Sequence, residues 1–414
     1  MTNTTLQNLA ISYVCLWATA PVLAYGTEYR ILAILAVVIW VGLELGRSRS
    51  IIKRPTLPVA LTLIFIGYTG FLEFMLSGAV DLLSHLQLWI MLFFLLVHQS
   101  RRDDMQSLVP VFWFVLATLP LWLFFTSYTL INVDPHAART LVRSSEEAKR
   151  LTGQGIGGYS LVYGALLMLP GLFGMVLAGR RLERARLPYL LKLAPRLAQG
   201  LLLLNIALGL MVILTAGFTI AVVILMFALL CIFFLKRYSA WRVMLACFFA
   251  VLALILYRPL LEWALLSLQP LVEDTAFSHK VRDLLVSLHI DEAVGTVEDR
   301  AERYMRSLIL FLESPFFGVL VVDDVGKHSE ILDTYARWGI VFGSIFVYLI
   351  SFLPMREMRK LTSNFGAPFA TLVVVAFIFG LNNAFSAAGV MLYIMFPVAT
   401  YLLARMEPRE LRYA

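Results

Sequence analysis

Twelve apolar stretches limit what this chain can become: residues 9–25, 30–46, 57–78, 82–98, 107–127, 158–178, 198–214, 217–235, 239–257, 338–354, 366–385 and 388–404. Each is close to the roughly 17–25 residues that carry an α-helix across about 30 Å of hydrocarbon. A helix satisfies its own backbone in lipid, so the expected fold is all-α: a polytopic integral membrane protein with about twelve transmembrane helices. Of the 414 residues, 60% are hydrophobic and only 15% charged, which excludes an ordinary soluble globule. The seventh and eighth stretches are almost one run, broken at Thr215, Ala216 and Gly217. The first lacks a basic leader and a small-residue cleavage site, so it reads as a retained helix. Cys15, Cys231 and Cys247 all fall in apolar runs and in no metal-type or redox-type spacing.

Charge gives the expected orientation. With a cytoplasmic N-terminus, the loops on that side hold 21 of the 34 basic residues, in clusters at 47–54, 101–102, 180–196, 236–242, 356–360 and 405–412. The four short connections on the other side hold only Arg30, as the positive-inside rule demands. The remaining basic residues lie in two long loops on the outer side, 128–157 and 258–337. The second loop carries more acids than bases, so the net charge of +7 belongs to the inner face. No internal repeat or low-complexity linker divides the chain, which reads as a single membrane domain, 1–414, with these two outer elaborations.

The polar chemistry is concentrated in those loops. DPHAARTLVRSSEEAKRLTG suggests a short helix with Asp134 as N-cap, Pro135 at the first position and Gly153 as its stop. On it Arg139, Arg143 and Arg150 would share one face. Pairing of Glu146 and Glu147 with Arg150 and Arg143 would make the same stripe a solvated, salt-bridged surface. In DRAERYMRSLILFLE, Arg300, Arg303 and Arg306 recur every third residue ahead of an apolar run. Two readings stand: snorkelling anchors, or a fork of guanidinium donors for phosphate oxygens. FSHKVRDLLVSLHI spaces Phe277, Val281, Leu284, Leu285 and Leu288 as an apolar helical stripe, for the membrane surface or for packing on the domain.

GKHSEILDTYARWGI leads into the tenth apolar stretch. Read as a helix, it sets His328 beside Ile331, Leu332 and Tyr335, with Glu330, Asp333 and Arg337 opposite and Asp333 spaced to pair with Arg337. An inward histidine is commonly structural, yet its near-neutral pKa also makes His328 the best general base on this side. His136, His279 and His289 are weaker candidates. The chain has no phosphate loop, no HExxH, no paired CxxC and no DxD beyond the adjacent Asp323 and Asp324. ATP-driven transport, zinc hydrolysis and metal-held nucleotide sugars therefore lack a motif. Glu73 and the pair Asn382 and Asn383 stand out among the polar residues within apolar runs.

SPFFGV followed by GKHSEILDTYARWGI resembles the hallmark region of the bacterial O-antigen and capsule polysaccharide polymerases (Wzy-type), and more distantly that of the O-antigen ligases. The residues that fit are Ser314, Pro315, Phe317, Gly318, Gly326, His328, Ser329, Glu330, Leu332, Asp333, Ala336 and Gly339. The His-Ser-Glu form is closer to the polymerases. Arg143 ahead of Gly155, and Arg306 ahead of Gly318, resemble the family's arginine-to-glycine spacing in its outer loops, and GQGIGGYSLVYG resembles the exit of its first loop. The chain departs from the pattern at Leu320, where a glycine is usual, and at Thr215–Phe218, where an arginine is usual.

The resemblance implies a GT-C-like membrane glycosyltransferase of the bacterial inner membrane, working in polysaccharide or lipopolysaccharide biosynthesis with its active site facing the periplasm. Its substrates would be undecaprenyl diphosphate-linked oligosaccharides. His328 would be the catalytic residue, and Arg139, Arg143, Arg150, Arg300, Arg303 and Arg306 would bind diphosphate. Glu330, Asp333 and Tyr335 would contact sugars. No metal, cofactor or nucleic acid is implied; membrane lipids are, and a chain-length-determining co-polymerase is a compatible partner. The rival within the class is an O-antigen ligase acting on lipid A-core. The rival from another class is a secondary transporter or lipid flippase, for which internal repeats and charges near the midplane would be expected.

Overall fold

The computed structural model describes residues 3–23, 26–48, 50–77, 86–141, 146–177, 195–234, 257–272, 278, 281–282, 285–286, 296–319, 325–354, 366–382 and 386–406. Among these residues the chain is all helix and turn, with no strand. The helices are α1 (Asn3–Thr19), α2 (Thr27–Leu45), α3 (Leu57–Ser77), α4 (Leu86–Arg101), α5 (Val109–Asn132), α6 (Ala137–Thr140), α7 (Glu146–Gly153) and α8 (Tyr159–Leu177). They continue with α9 (Pro195–Thr215), α10 (Thr219–Phe234), α11 (Tyr257–Val272), α12 (Thr296–Glu313), α13 (Glu330–Val347), α14 (Gly366–Leu381), α15 (Ser386–Val390) and α16 (Phe396–Met406). Among the described residues five segments are long and apolar enough to cross a membrane: Met105–Asn132, Tyr159–Leu177, Arg196–Thr215, Glu330–Ser351 and Ala387–Arg405. The ninth expected stretch, 239–257, and most of the basic loop clusters lie outside the described residues.

Burial ranks the helices. α8 and the closing segment Ala387–Arg405 are 78% and 89% buried, as helices hydrophobic all round must be when they form the centre of a bundle. They approach closely because α8 offers glycines to small residues: a Cβ on Gly164 would lie 3.2 Å from the Ala387 Cβ, and one on Gly171 3.3 Å from the Ala399 Cβ. α9, α10 and α14 also pack on α8. The outward faces of α2, α3 and α5 present Ile31, Val38, Phe71, Met75 and Phe124, all exposed. A soluble protein would have to cover so large an apolar surface; here lipid is its natural contact.

Hydroxyls inside the helices return to the backbone, as in Thr62 to the Pro58 carbonyl and Thr69 to the Phe65 carbonyl. Two π-helical turns, Tyr348–Phe352 after α13 and Met391–Met395 between α15 and α16, face each other. The buried Tyr393 hydroxyl donates to the Leu349 carbonyl at 2.7 Å and clips them together. At one end of the bundle, the buried Glu44 carboxylate gathers α1, α2 and α4 by accepting from Gln7 Nε2, Arg47 Nη1 and Ser100 Oγ.

The first loop differs from its expected single helix. It forms two short ones, α6 and α7, with residues 142–145 between them outside the described set. Asp134 does cap the entry, its Oδ1 accepting from the His136 N–H at 2.8 Å. In the second loop, Val281 and Leu285 of the expected apolar stripe are buried against Leu265 of α11. Phe277, Leu284, Leu288, His279 and His289 lie outside the described residues.

Candidate functional site

α12 runs beside α13, and a loop threaded between them builds the site. The N–H of Gly326 donates to Ser307 Oγ at 2.9 Å. A Cβ on Gly326 would fall 2.0 Å from the Arg303 carbonyl oxygen, so only glycine permits this approach. The Ser307 hydroxyl donates onward to Asp333 Oδ1 at 2.6 Å, a short charge-assisted bond between two buried side chains. Lys327 follows with φ 59°, a left-handed conformation that a residue with a Cβ adopts at a cost of about 1–2 kcal/mol. Half-buried His328 comes next.

Ser329 then caps α13, its Oγ accepting from the Leu332 N–H at 3.2 Å. The Glu330 N–H donates to the Asn382 carbonyl at 2.9 Å, which satisfies the first turn of α13 from the end of α14. Within five residues the chain thus passes from the Arg303 backbone to Asn382, and His328 is the midpoint.

A second polar group gathers at Asn382. The Tyr304 hydroxyl donates to the Leu381 carbonyl at 3.0 Å, and Arg300 Nη1 reaches the same oxygen at 3.5 Å. The Asn382 side chain lies against the Tyr163 hydroxyl at the start of α8, with Arg300 and Tyr304 in electrostatic reach. One turn before Tyr163, Ser160 Oγ accepts from the Ala387 N–H at 3.4 Å. Just upstream, the Gly157 N–H donates to Thr126 Oγ1 at 2.8 Å. The exit of the first loop and the arginine helix of the second therefore meet at the junction of α14 and α15.

α13 is itself interrupted. Gly339 has φ 66° and ψ −172°, which breaks the helical ladder between Ala336 and Ile340. The segment 315–319 fills the break: the Val319 N–H takes the Ala336 carbonyl at 2.8 Å, and the Ile340 N–H goes to the Pro315 carbonyl at 2.7 Å. One lost helical bond is replaced by two from the inserted loop. Gly318, φ 72°, and Gly339 touch the opposing backbones, and a Cβ on either would sit 2.2 Å or 2.1 Å from the Arg337 or Phe316 carbonyl oxygen.

Arg300, Arg303, Arg306, His328, Glu330 and Asp333 all belong to this end of the molecule. A spacing of three residues drifts by about 60° per step, so Arg300 turns toward the packed face while Arg303 and Arg306 are exposed. The expected helical face with His328 beside Ile331, Leu332 and Tyr335 does not form, because the helix begins only at Glu330. His328 belongs to the preceding turn, and the acids Glu330 and Asp333 are the buried residues. Asp333 takes Ser307 as partner where a pair with Arg337 is expected. The Tyr335 ring packs 5.6 Å from Phe311, and its hydroxyl is 3.4 Å from Ser344 Oγ, past the break in α13.

In the first loop, Arg150 is exposed and 3.8 Å from Glu147, and Lys149 pairs with Glu146 at 2.7 Å. Arg139 lies in α6 with its side chain outside the described set, as is all of Arg143. The side chain of Glu73, and residues Leu320, Asp323, Asp324 and Asn383, also fall outside it. Sequence reasoning missed Ser307, Tyr304 and Tyr163. Tyr304 and Ser307 were readable as the i+4 and i+7 positions of a face that starts at Arg300. Tyr163 gave no signal, being one aromatic in a uniformly apolar run. Among the described residues no three His, Cys, Asp or Glu side chains assemble as a metal site would require. The chain matches no family model and no curated protein.

Proposed function

We propose that this protein is a membrane glycosyltransferase, a polysaccharide polymerase that moves a growing glycan from polyprenyl diphosphate onto a hydroxyl of a lipid-linked repeat unit. In this reading the chain makes about twelve spans in a bacterial inner membrane, and the junction of α12, α13 and α14 faces the periplasm. The acceptor oxygen attacks the anomeric carbon from the face opposite the diphosphate. The hydroxyl proton passes to His328, the carbon–oxygen bond to the phosphate breaks, and the diphosphate leaves with the electron pair, inverting the centre. Arg303 and Arg306 stabilise the departing charge, with first-loop arginines as further donors. Loss of one preorganised donor costs roughly 2.7–4 kcal/mol in other enzymes, about 10²–10³-fold in rate.

The observation that carries the reading is the position of His328, on a strained turn held at one side by the Arg303 backbone and at the other by Asn382. The backbone on either side of His328 is tied to the arginine helix α12 and to the end of α14, which supports a base close to the arginines proposed for the leaving group. The test is to incubate the purified protein in detergent with lipid-linked repeat units and a chelator, without nucleotide. Chain ladders from wild type, reduced at least 10²-fold by His328→Ala, support polymerisation. Product formed only when lipid A-core is added would assign the ligase reaction instead. Absence of any transfer, with uptake into sealed vesicles, would assign transport.

A further inference from the structure

The turn that carries His328 is tied at both feet through Ser307 and Asp333. Of residues 325–330, Lys327 is exposed and His328 half-buried, while the other four are buried. In front, the Gly326 N–H donates to Ser307 Oγ at 2.9 Å, and the Ser307 hydroxyl donates to Asp333 Oδ1 at 2.6 Å. Behind, the Asp333 N–H donates to the Ser329 carbonyl at 2.8 Å. These bonds close a ring from Gly326 through Ser307, Asp333 and Ser329, and back along the chain through His328 and Lys327. Ser307 is its one member from another helix, α12. A hydroxyl suits the place because it donates and accepts at once: Asp333 takes its proton, and its oxygen is left for the Gly326 N–H.

Removing that one oxygen would take the partner from two buried groups, the Gly326 N–H and Asp333 Oδ1. A buried polar group left unpaired is costly, and the N–H regains a partner only if the turn swings toward water. Lys327, at φ 59°, stores strain that such a swing releases. A general base must stay within hydrogen-bond reach of the proton it takes, and a misplacement of about 1 Å can cost roughly 100-fold in rate. Ser307 also stands one turn after Arg303, whose carbonyl backs Gly326. One rigid helix therefore carries both the arginines proposed for the leaving group and the foot of the turn that bears the base. We infer that Ser307 is a positioning residue: it holds Gly326 against α12 and so fixes the direction from which His328 meets the acceptor hydroxyl. The inference rests on the polymerase reading for the step that His328 performs; the tether itself is measurable without any transfer.

The experiment combines transfer kinetics with amide hydrogen exchange on the full-length protein in detergent. With lipid-linked repeat units as substrate, Ser307→Ala should lower kcat by about 10- to 100-fold and leave KM within about twofold. In a His328→Ala background the same substitution should cost the residual transfer nothing further, because its effect runs through the imidazole. Exchange at the Gly326 amide should quicken by about tenfold or more once its acceptor is gone. Asp333→Asn, near-isosteric and still able to accept from Ser307, should show the same pattern to a smaller degree, and it carries the test if Ser307→Ala does not fold. A folded Ser307→Ala protein with wild-type kcat, unchanged exchange at Gly326, or an equal fractional loss with and without His328 overturns the assignment. Faster exchange at Gly326 in a protein whose wild type never extends a chain upholds the tether and overturns the polymerase.

Discussion

A lysine in the left-handed region beside the candidate base is an unfavourable arrangement that the fold enforces. Gly326 is pinned by Ser307 before it and Ser329 caps α13 after it, so the turn between them has no freedom to relax, and His328 inherits its direction from that constraint. Glycine at 327 should relieve the strain, offset in part by its larger unfolded-state entropy. Lys327→Gly is therefore expected to leave thermal stability equal or higher and to keep transfer activity. Lys327→Val, β-branched at φ 59°, should lose about 1–2 kcal/mol and displace His328. Thermal unfolding in detergent measures both; a Val variant as stable as wild type would show that the turn carries no strain. His328 was singled out in the sequence by its imidazole chemistry and its motif ahead of the apolar stretch at 338, but its place outside the helix was not legible. A helical wheel presumes that the helix includes the residue, and here the cap follows it.

The break in α13 is the device that positions the site at the scale of elements. Segment 315–319 is spliced into the ladder where the bond between Ile340 and Ala336 would run, and the two glycines meet the facing backbone on either side. Gly318→Ala and Gly339→Ala should each cost about 2–5 kcal/mol, a left-handed backbone penalty plus overpacking. Because both damage one contact, the double variant should be little worse than either single. The fraction of monodisperse protein and its melting temperature check this, and simple additivity of the two losses would count against the interlock. The sequence pattern showed the glycines and the start of the apolar stretch at 338, but not the splice, since bonds between residues 17 and 25 apart leave no local periodicity. The same limit hid the pairing of Ser307 with Asp333. By contrast the five helices long and apolar enough to cross a membrane were legible as apolar runs, because in lipid the apolar run and the helix are nearly the same statement. The first loop was half legible: Asp134 caps as its spacing suggests, but nothing local foretold two helices in place of one.

For the whole molecule, the apolar side of α12 raises the question of where the membrane surface lies. Leu312, Phe316 and Phe317 are 66%, 66% and 70% exposed, and Ile309, Ile340 and Val341 are exposed near them. This surface continues from α12, in a loop expected to be aqueous, onto the spanning part of α13. Arg303 and Arg306 stand about one to two turns before its end, where guanidinium heads reach water while aliphatic stems lie along apolar surface. If lipid covers this surface, its boundary crosses α12 between Arg306 and Leu312, and the arginines stand in the headgroup plane, where the proposed lipid-borne diphosphate would lie. The prediction is that a spin label at Phe316→Cys, in a cysteine-free background reconstituted in liposomes, is relaxed by lipid-soluble oxygen and shielded from an aqueous nickel chelate. A label at Glu302→Cys should show the reverse. Chelate access at position 316 equal to that at 302 would place this face in water, and the arginines would then stand well above the membrane, too far out to meet a diphosphate whose tail remains in the bilayer.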